Sequence, residues 1–126
     1  MTSVSSIVLF STHHLQAAAF YRAIGIPLAG EQHDDGPTHH ACELGGVHFA
    51  IYPAESAGSA PDRRAGGSTF PGFYVESLDA VAADLSRLSA PILSDHEQMP
   101  WGCRVVFQDP DRRPIEINQL GHCPSN

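Results

Sequence analysis

One pattern occurs twice in this chain, and it limits the fold more than any single motif does. Residues 4–10 form a short apolar run with β-branched side chains, which predicts a strand. Thr12 is placed to cap a helix in which Leu15, Ala18 and Ala19 recur at helical spacing, Tyr21 and Ile24 extend the apolar surface, and Gly25 ends the run. Arg22 interrupts that stripe, its stem packing while its guanidinium reaches water. Residues 27–31 read as a weak strand and Asp34-Asp35-Gly36-Pro37 as a turn. Residues 39–44 and 47–52 read as two strands joined by Gly45-Gly46, a pair suited to a tight hairpin. Residues 53–68 are rich in Ala, Gly, Ser and Pro without periodicity, and read as a linker.

The order then restarts. Residues 70–75 read as a strand, Ser77 as the cap of a helix with Leu78, Val81, Ala82 and Leu85 on one face, and residues 91–93 as the start of a weak strand. Residues 103–107 and 115–118 read as strands joined by the turn Asp109-Pro110-Asp111-Arg112-Arg113. Phe70 follows Ser6, and Pro91 follows Pro27, by the same 64 positions, and Glu116 follows Ala50 by 66. Such spacing marks an internal duplication. The expected fold is α+β, with two βαβββ modules at 4–52 and 69–119 in a single domain over 1–126. Neither half is large enough to bury a comfortable core alone, so pairing of the modules should build it.

Composition narrows the partners. Fourteen acids against seven Lys and Arg give a formal charge of −7 and no basic stripe, which disfavours nucleic acid. The same charge suits a neutral or cationic ligand, or plain solubility. No segment approaches the roughly 18 apolar residues of a membrane span. The first six residues have neither a basic start nor a long apolar run, so no secretory signal is expected. Cys42, Cys103 and Cys123 are odd in number and lack CxxC spacing, and so read as reduced thiols of a cytoplasmic protein.

Two stretches carry a family resemblance. Phe20-Tyr21-Arg22-Ala23-Ile24-Gly25-Ile26 resembles the "FYRDVLGL" signature of the vicinal oxygen chelate superfamily. Pro100-Trp101-Gly102-Cys103-Arg104, then Phe107-Gln108-Asp109-Pro110-Asp111 and Ile115-Glu116-Ile117, resemble its ending. That superfamily includes glyoxalase I, extradiol dioxygenases, fosfomycin-resistance enzymes and bleomycin-binding proteins. The likeness spans roughly positions 4 to 119, with Arg112 standing where the family's DPDG turn has glycine. It implies two modules whose mixed sheets curl around a cleft. It also implies metal ligands on the first and fourth strands of each module, which fall here on Ser6, Ala50, Phe70 and Glu116. Divalent metals in such sites want imidazole and carboxylate donors. Only Glu116 offers one, so neither a metal nor another cofactor is expected.

Strand alternation then selects the cleft lining, because residues two apart share a face. From the four aligned positions it yields Val8 and Phe10, His48 and Tyr52, Gly72 and Tyr74, Pro114 and Asn118. Trp101 and Arg104 sit near the rim. The predicted ligand-binding set is Phe10, His48, Tyr52, Phe70, Tyr74, Trp101, Arg104, Glu116 and Asn118, an aromatic lining with a few polar groups. Glu116 reads either as a general base or cation holder, or as a carboxylate tied to Arg104 or water. His48 reads as a base, a metal ligand beside Glu116, or a hydrogen-bonded histidine lining the sheet. It lies about 6.6 Å along the strand from the ligand level, which favours the last. Trp101 either stacks a flat ligand or packs the rim. The pairs His13-His14 and His39-His40 read as surface histidines, since adjacent residues do not chelate easily. Cys42 and Cys103 read as small buried fillers.

The favoured function is a metal-free binder that sequesters an aromatic or cationic small molecule, as a homodimer. Two alternatives stand beside it. One is a divergent lyase, isomerase or dioxygenase-like enzyme using Glu116, and the other is a purely structural or regulatory domain.

Overall fold

The computed structural model describes residues 4, 6–32, 38–54 and 69–124. In chain order the elements are β1 (Ser6–Ser11), α1 (His14–Ala23), β2 (Ala29–Glu31), β3 (His39–Leu44) and β4 (Val47–Pro53). They are followed by β5 (Gly72–Tyr74), α2 (Leu78–Arg87), β6 (Ile92–Met99), β7 (Gly102–Gln108) and β8 (Pro114–Leu120). The expected turn at 34–37 and most of the expected linker, residues 55–68, lie outside the described residues.

Each half makes its own four-stranded sheet, and the orders match: β1-β4-β3-β2 and β5-β8-β7-β6. Within each, the first strand runs parallel to the last and the other neighbours are antiparallel. The helix between them supplies the crossover that a parallel pair requires. The duplication read from spacing is therefore a duplication of topology.

Both helices pack on the same side of their sheets as Leu9, Phe49, Ile51, Val105, Phe107, Ile115 and Ile117. Tyr21 of α1 is fully buried and lies 5.6 Å from the Phe49 ring of its own module and 6.3 Å from Phe73 of the other. One cluster of buried side chains therefore draws on both modules.

A polar clamp joins the modules beside this core. Asp109 Oδ1 accepts from the backbone N–H groups of Asp111 and Arg113, at 2.9 Å each. Its Oδ2 accepts from the Tyr21 hydroxyl at 2.7 Å and from Arg113 Nη1 at 2.9 Å. Asp111 accepts from the Ser11 hydroxyl and from the Thr12 N–H and hydroxyl, and Arg113 Nη2 donates to the Phe10 carbonyl. Arg112, at φ 68°, takes the left-handed conformation that glycine usually fills, held by its N–H donating to the Asp109 carbonyl at 3.0 Å. The turn keeps its form without the glycine.

Several local expectations change. Thr12 does not cap α1: its hydroxyl is committed to Asp111, and His13 stands at the cap without a side-chain bond. Leu15 is exposed, and the buried face is Ala17, Ala18, Phe20 and Tyr21, because a first-turn side chain leans back past the sheet. Ser77 caps α2 as expected, accepting from Ala80 N at 3.2 Å. β5 is shorter than predicted and leaves Phe70 outside it, since Pro71 has no N–H to give the ladder. β6 is longer, reaching Met99.

The three cysteines are not all free. Cys103 and Cys123 are disulfide-bonded, with Cα atoms 4.7 Å apart, and Cys42 alone is a free thiol among the described residues. Spacing of 20 residues gives no sign of this. The β7–β8 hairpin ends with Gly102 opposite Leu120, and so returns the chain to where it began.

Candidate functional site

Register fixes which side chains share the face turned away from the helices. On the first sheet Ser6 lies beside His48, Val8 beside Ala50 and Phe10 beside Tyr52. On the second, Gly72 lies beside Glu116 and Tyr74 beside Asn118, with Arg104 across from Asn118 and Glu97 across from Arg104. The residues between them, such as Leu9, Phe49 and Ile117, form the core.

The first face is aromatic. Phe10 and Tyr52 tilt together with ring centroids 6.2 Å apart. Tyr52 stacks flat on His39 at 4.1 Å and 8°, and His39 Nε2 lies 3.0 Å from Glu31 Oε1. His48 is half-buried, with Nδ1 3.2 Å from Glu43 Oε1. It therefore pairs on its own sheet rather than with Glu116.

The second face carries a chain of polar contacts. The Trp101 indole N–H donates to Asn118 Oδ1 at 2.9 Å, and Asn118 Nδ2 donates to Glu116 Oε1 at 2.7 Å. Glu116 Oε2 accepts from Arg104 Nη1 at 3.2 Å, and Arg104 Nη2 donates to Glu97 Oε1 at 2.9 Å. Gly72 makes room for this, because a Cβ there would stand 3.1 Å from Glu116 Oε1. The Arg104 bond, helped by Ser94, holds the Glu97 carboxyl below the usual range. Bonds to Glu97 and Glu116 raise Arg104, so the guanidinium stays charged. Its Nε is buried without a partner.

Around this network Phe70, Tyr74 and Trp101 are exposed, at 54%, 65% and 42%. Trp101 has no ring partner among the described residues, so within one chain it does not meet Phe10 or Tyr52. The predicted residues thus fall into two groups, Phe10, His48 and Tyr52 on one sheet, and Tyr74, Trp101, Arg104, Glu116 and Asn118 on the other, with Phe70 just before β5.

The arrangement limits the chemistry. Each Glu116 oxygen accepts one hydrogen bond, from Asn118 and from Arg104, and keeps a second lone pair turned to other donors. The superfamily's metal does not fit the aligned set. Ser6, Ala50 and Phe70 carry no suitable donor, and no group of three or more His, Cys, Asp or Glu among the described residues could hold an ion.

Two of the presumed surface histidines are corrected. His39 and His40 are buried, at 2% and 8% exposure. His40 faces the helix side, its ring 6.1 Å from His14, and burial, then the nearby Arg22, His14 and His39, lowers its pKa. His39 and Glu97 belong to the candidate faces but escaped the sequence reading. Extending the alternation from β4 across the Gly45-Gly46 hairpin to β3 selects His39. Burial and the Glu43 carboxylate push the Cys42 thiol up, which makes it a poor nucleophile.

A cavity of about 260 Å³ lies on the helix side, lined by Gln16, Phe20, Ala90, Pro91, Gln108 and Pro110. An open pocket of about 420 Å³ adjoins the second face at Tyr74 and Leu120.

Two sheets of this order, each crossed by one helix and joined through a DPD turn, define a glyoxalase-like fold. The chain belongs to the Glyoxalase/Bleomycin resistance protein/Dioxygenase superfamily, whose family model matches residues 3–117. It is similar in structure to a glyoxalase-related enzyme from Fulvimarina pelagi, at 20% identity, 94% and 88% coverage of the two chains, and TM-score 0.70. It is also similar to TnmS3, an antibiotic binding protein from Streptomyces sp. CB03234, at 19% identity, 96% and 98% coverage, and TM-score 0.70. A lactoylglutathione lyase from Agrobacterium tumefaciens matches at 17% identity, 94% coverage of each chain, and TM-score 0.63. Identities this low carry the fold alone. No curated protein matches the sequence significantly. Among the described residues, no helix is long and apolar enough to cross a membrane.

Proposed function

We propose that this chain is a metal-free small-molecule binder that holds a flat, neutral or cationic ligand on the Trp101 face. The observation that carries the reading is the tied set Trp101–Asn118–Glu116–Arg104 beside exposed Phe70 and Tyr74. It offers stacking surfaces next to fixed polar groups, while three of the four positions aligned with the superfamily's metal ligands, Ser6, Ala50 and Phe70, carry no suitable donor. Similarity to an antibiotic binding protein is consistent with this and is carried over only as part of the proposal. Phe10 and Tyr52 reach the ligand from a second copy of the chain, in a homodimer that sets the first face of one protomer against the second face of its partner. That arrangement would also cover the exposed aromatic residues.

Aromatic stacking is worth roughly 0.5–1.5 kcal/mol per pair beyond burial. Losing one stacking or polar contact should cost about 1–3 kcal/mol, or about 5- to 150-fold in affinity. A thermal-shift ligand screen, repeated on Trp101→Ala and Glu116→Gln, tests the reading. Trp101→Ala should weaken many ligands alike, and Glu116→Gln should weaken cationic ones selectively. Hits that stabilise both variants as well as the parent would sink it. So would elemental analysis finding a stoichiometric divalent metal that is lost with Glu116→Ala.

The enzyme alternative has one observation in its favour, since Glu116 holds the family's last ligand position. Turnover of a hit, abolished by Glu116→Gln, would replace the binding reading.

A further inference from the structure

The C-terminal segment beyond β8 is held to the sheet by three ties. Gln98, Cys103 and Gln119 lie abreast on β6, β7 and β8. After Leu120 the chain turns at Gly121, φ 91°, and comes back over this row. Gln98 grips it at both ends, Nε2 donating to the Gly121 carbonyl at 3.0 Å and Oε1 accepting from Cys123 N at 2.6 Å. The third tie is the covalent one between Cys123 and Cys103. Cys103 is fully buried, whereas Cys123 is half-buried and near the surface. Cys42 sits on the other sheet, so no internal thiol competes for the bond.

This row adjoins the turn that presents Trp101. Gly102, the residue between Trp101 and Cys103, is pinched against β8, where a Cβ would stand 2.2 Å from the Gln119 carbonyl oxygen. The Trp101 turn thus stands directly against the backbone of the Cys103–Gln119 row.

We propose that Cys103 and Cys123 form a thiol–disulfide exchange site that latches the Trp101 end of the second sheet when oxidised and releases it when reduced. The exchange partner is a low-molecular-weight thiol and its disulfide. In the reducing direction the external thiolate attacks the Cys123 sulfur, on the less buried residue of the two. The Cys103–Cys123 bond breaks, Cys103 leaves as a thiolate, and that thiolate takes up the proton the attacking thiol gave to solvent. A second external thiol then attacks the mixed disulfide, releases Cys123 as a thiol and departs as the oxidised small-molecule disulfide. Two protein sulfurs are reduced and two external ones oxidised. Reoxidation is the reverse, with that small disulfide as oxidant.

The test equilibrates the full chain in mixtures of reduced and oxidised glutathione, with acid quenching and counting of free thiols. One thiol is expected in the oxidised form and three in the reduced form, since the chain has three cysteines. Trp101 is the only tryptophan, so its emission reports the latch directly. Emission should change with the same midpoint as the thiol count. The melting temperature should fall by about 10 °C on reduction, as expected for a closed loop of this size in a chain of this length. Cys123→Ser should match the reduced protein in emission and melting, and should ignore glutathione. If that variant does not fold, the reduced parent serves as the comparison. Three free thiols in excess oxidised glutathione would overturn the proposal. So would a single thiol that persists in excess reduced glutathione, or Trp101 emission that is identical in the two states.

Discussion

Replacing Arg113 by methionine tests whether the clamp between the modules is sequestered from water in solution. Arg113, Asp109 and Asp111 are 7%, 3% and 2% exposed, so the substitution leaves two buried carboxylates without their cation. Each keeps other donors: Asp109 retains Tyr21 and two backbone N–H groups, and Asp111 retains Ser11 and Thr12. Removing one partner of a buried ion pair costs about 3–5 kcal/mol. The Phe10 carbonyl also loses its donor, while methionine fills much of the arginine stem's volume. We therefore expect a loss of about 3–5 kcal/mol, or roughly 10–20 °C in Tm for a chain of this size. Urea unfolding with an unchanged slope is the measurement that checks it. The double variant with Asp109→Asn should lose less than the two single losses together, by about 1–3 kcal/mol, because the residues share one network. A loss under about 1 kcal/mol for Arg113→Met would show that water reaches these carboxylates, and the clamp would then not be what joins the modules.

Burial, reinforced by the Asp109 carboxylate, pushes the Tyr21 hydroxyl far above its usual 10.0. Because the folded chain holds this proton more tightly than the unfolded chain, stability should be intact below about pH 10 and then fall by about 1.4 kcal/mol per pH unit. Tyr21→Phe should flatten that alkaline slope, read by denaturant unfolding from pH 9 to 11. His40 works in the opposite range. Its lowered folded pKa means that the unfolded chain binds the proton first, so stability present above about pH 6.5 is lost as pH falls. His40→Leu should reduce this acid slope, and an unchanged slope would assign it to other groups. Light scattering should give a dimer mass, and a concentration-independent monomer would remove Phe10 and Tyr52 from the proposed site.

The sequence was legible where one local rule decides the outcome. Ser77 caps α2, Gly45-Gly46 turns the β3–β4 hairpin, and the period of two puts Phe10 with Tyr52 and Glu116 with Gly72. It was not legible where a side chain's partner lies far along the chain. The Thr12 hydroxyl satisfies a cap in principle, yet Asp111, 99 residues away, takes it. Cys103 and Cys123 meet only because the hairpin closes. Adjacency hides His39, because its neighbour His40 points the other way, although that same alternation turns His39 onto Tyr52.

Glu116 shows how a known place on a sheet face can still leave a role open. Family alignment and strand period both direct it to the open face, where a bare carboxylate would be a strong base or a cation trap. Register adds what neither supplies, since Arg104 stands across from Asn118, and Asn118 lies two residues beyond Glu116 on the same face. The guanidinium therefore reaches the Glu116 carboxylate, and Glu97 on the far side completes a cluster of two acids and one base. Each charged group of this cluster already has a partner of opposite sign, and hydrogen bonds of this charge-assisted kind are the strong ones. Its residual negative charge is shared between Glu116 and Glu97 rather than concentrated on one reactive oxygen. For the proposed binder, that distribution would meet the polar edge of a ligand. It also predicts that Arg104→Met, by removing the cation beside Glu116, increases the preference for cationic ligands in the thermal-shift screen, and an unchanged preference would refute that placement of charge.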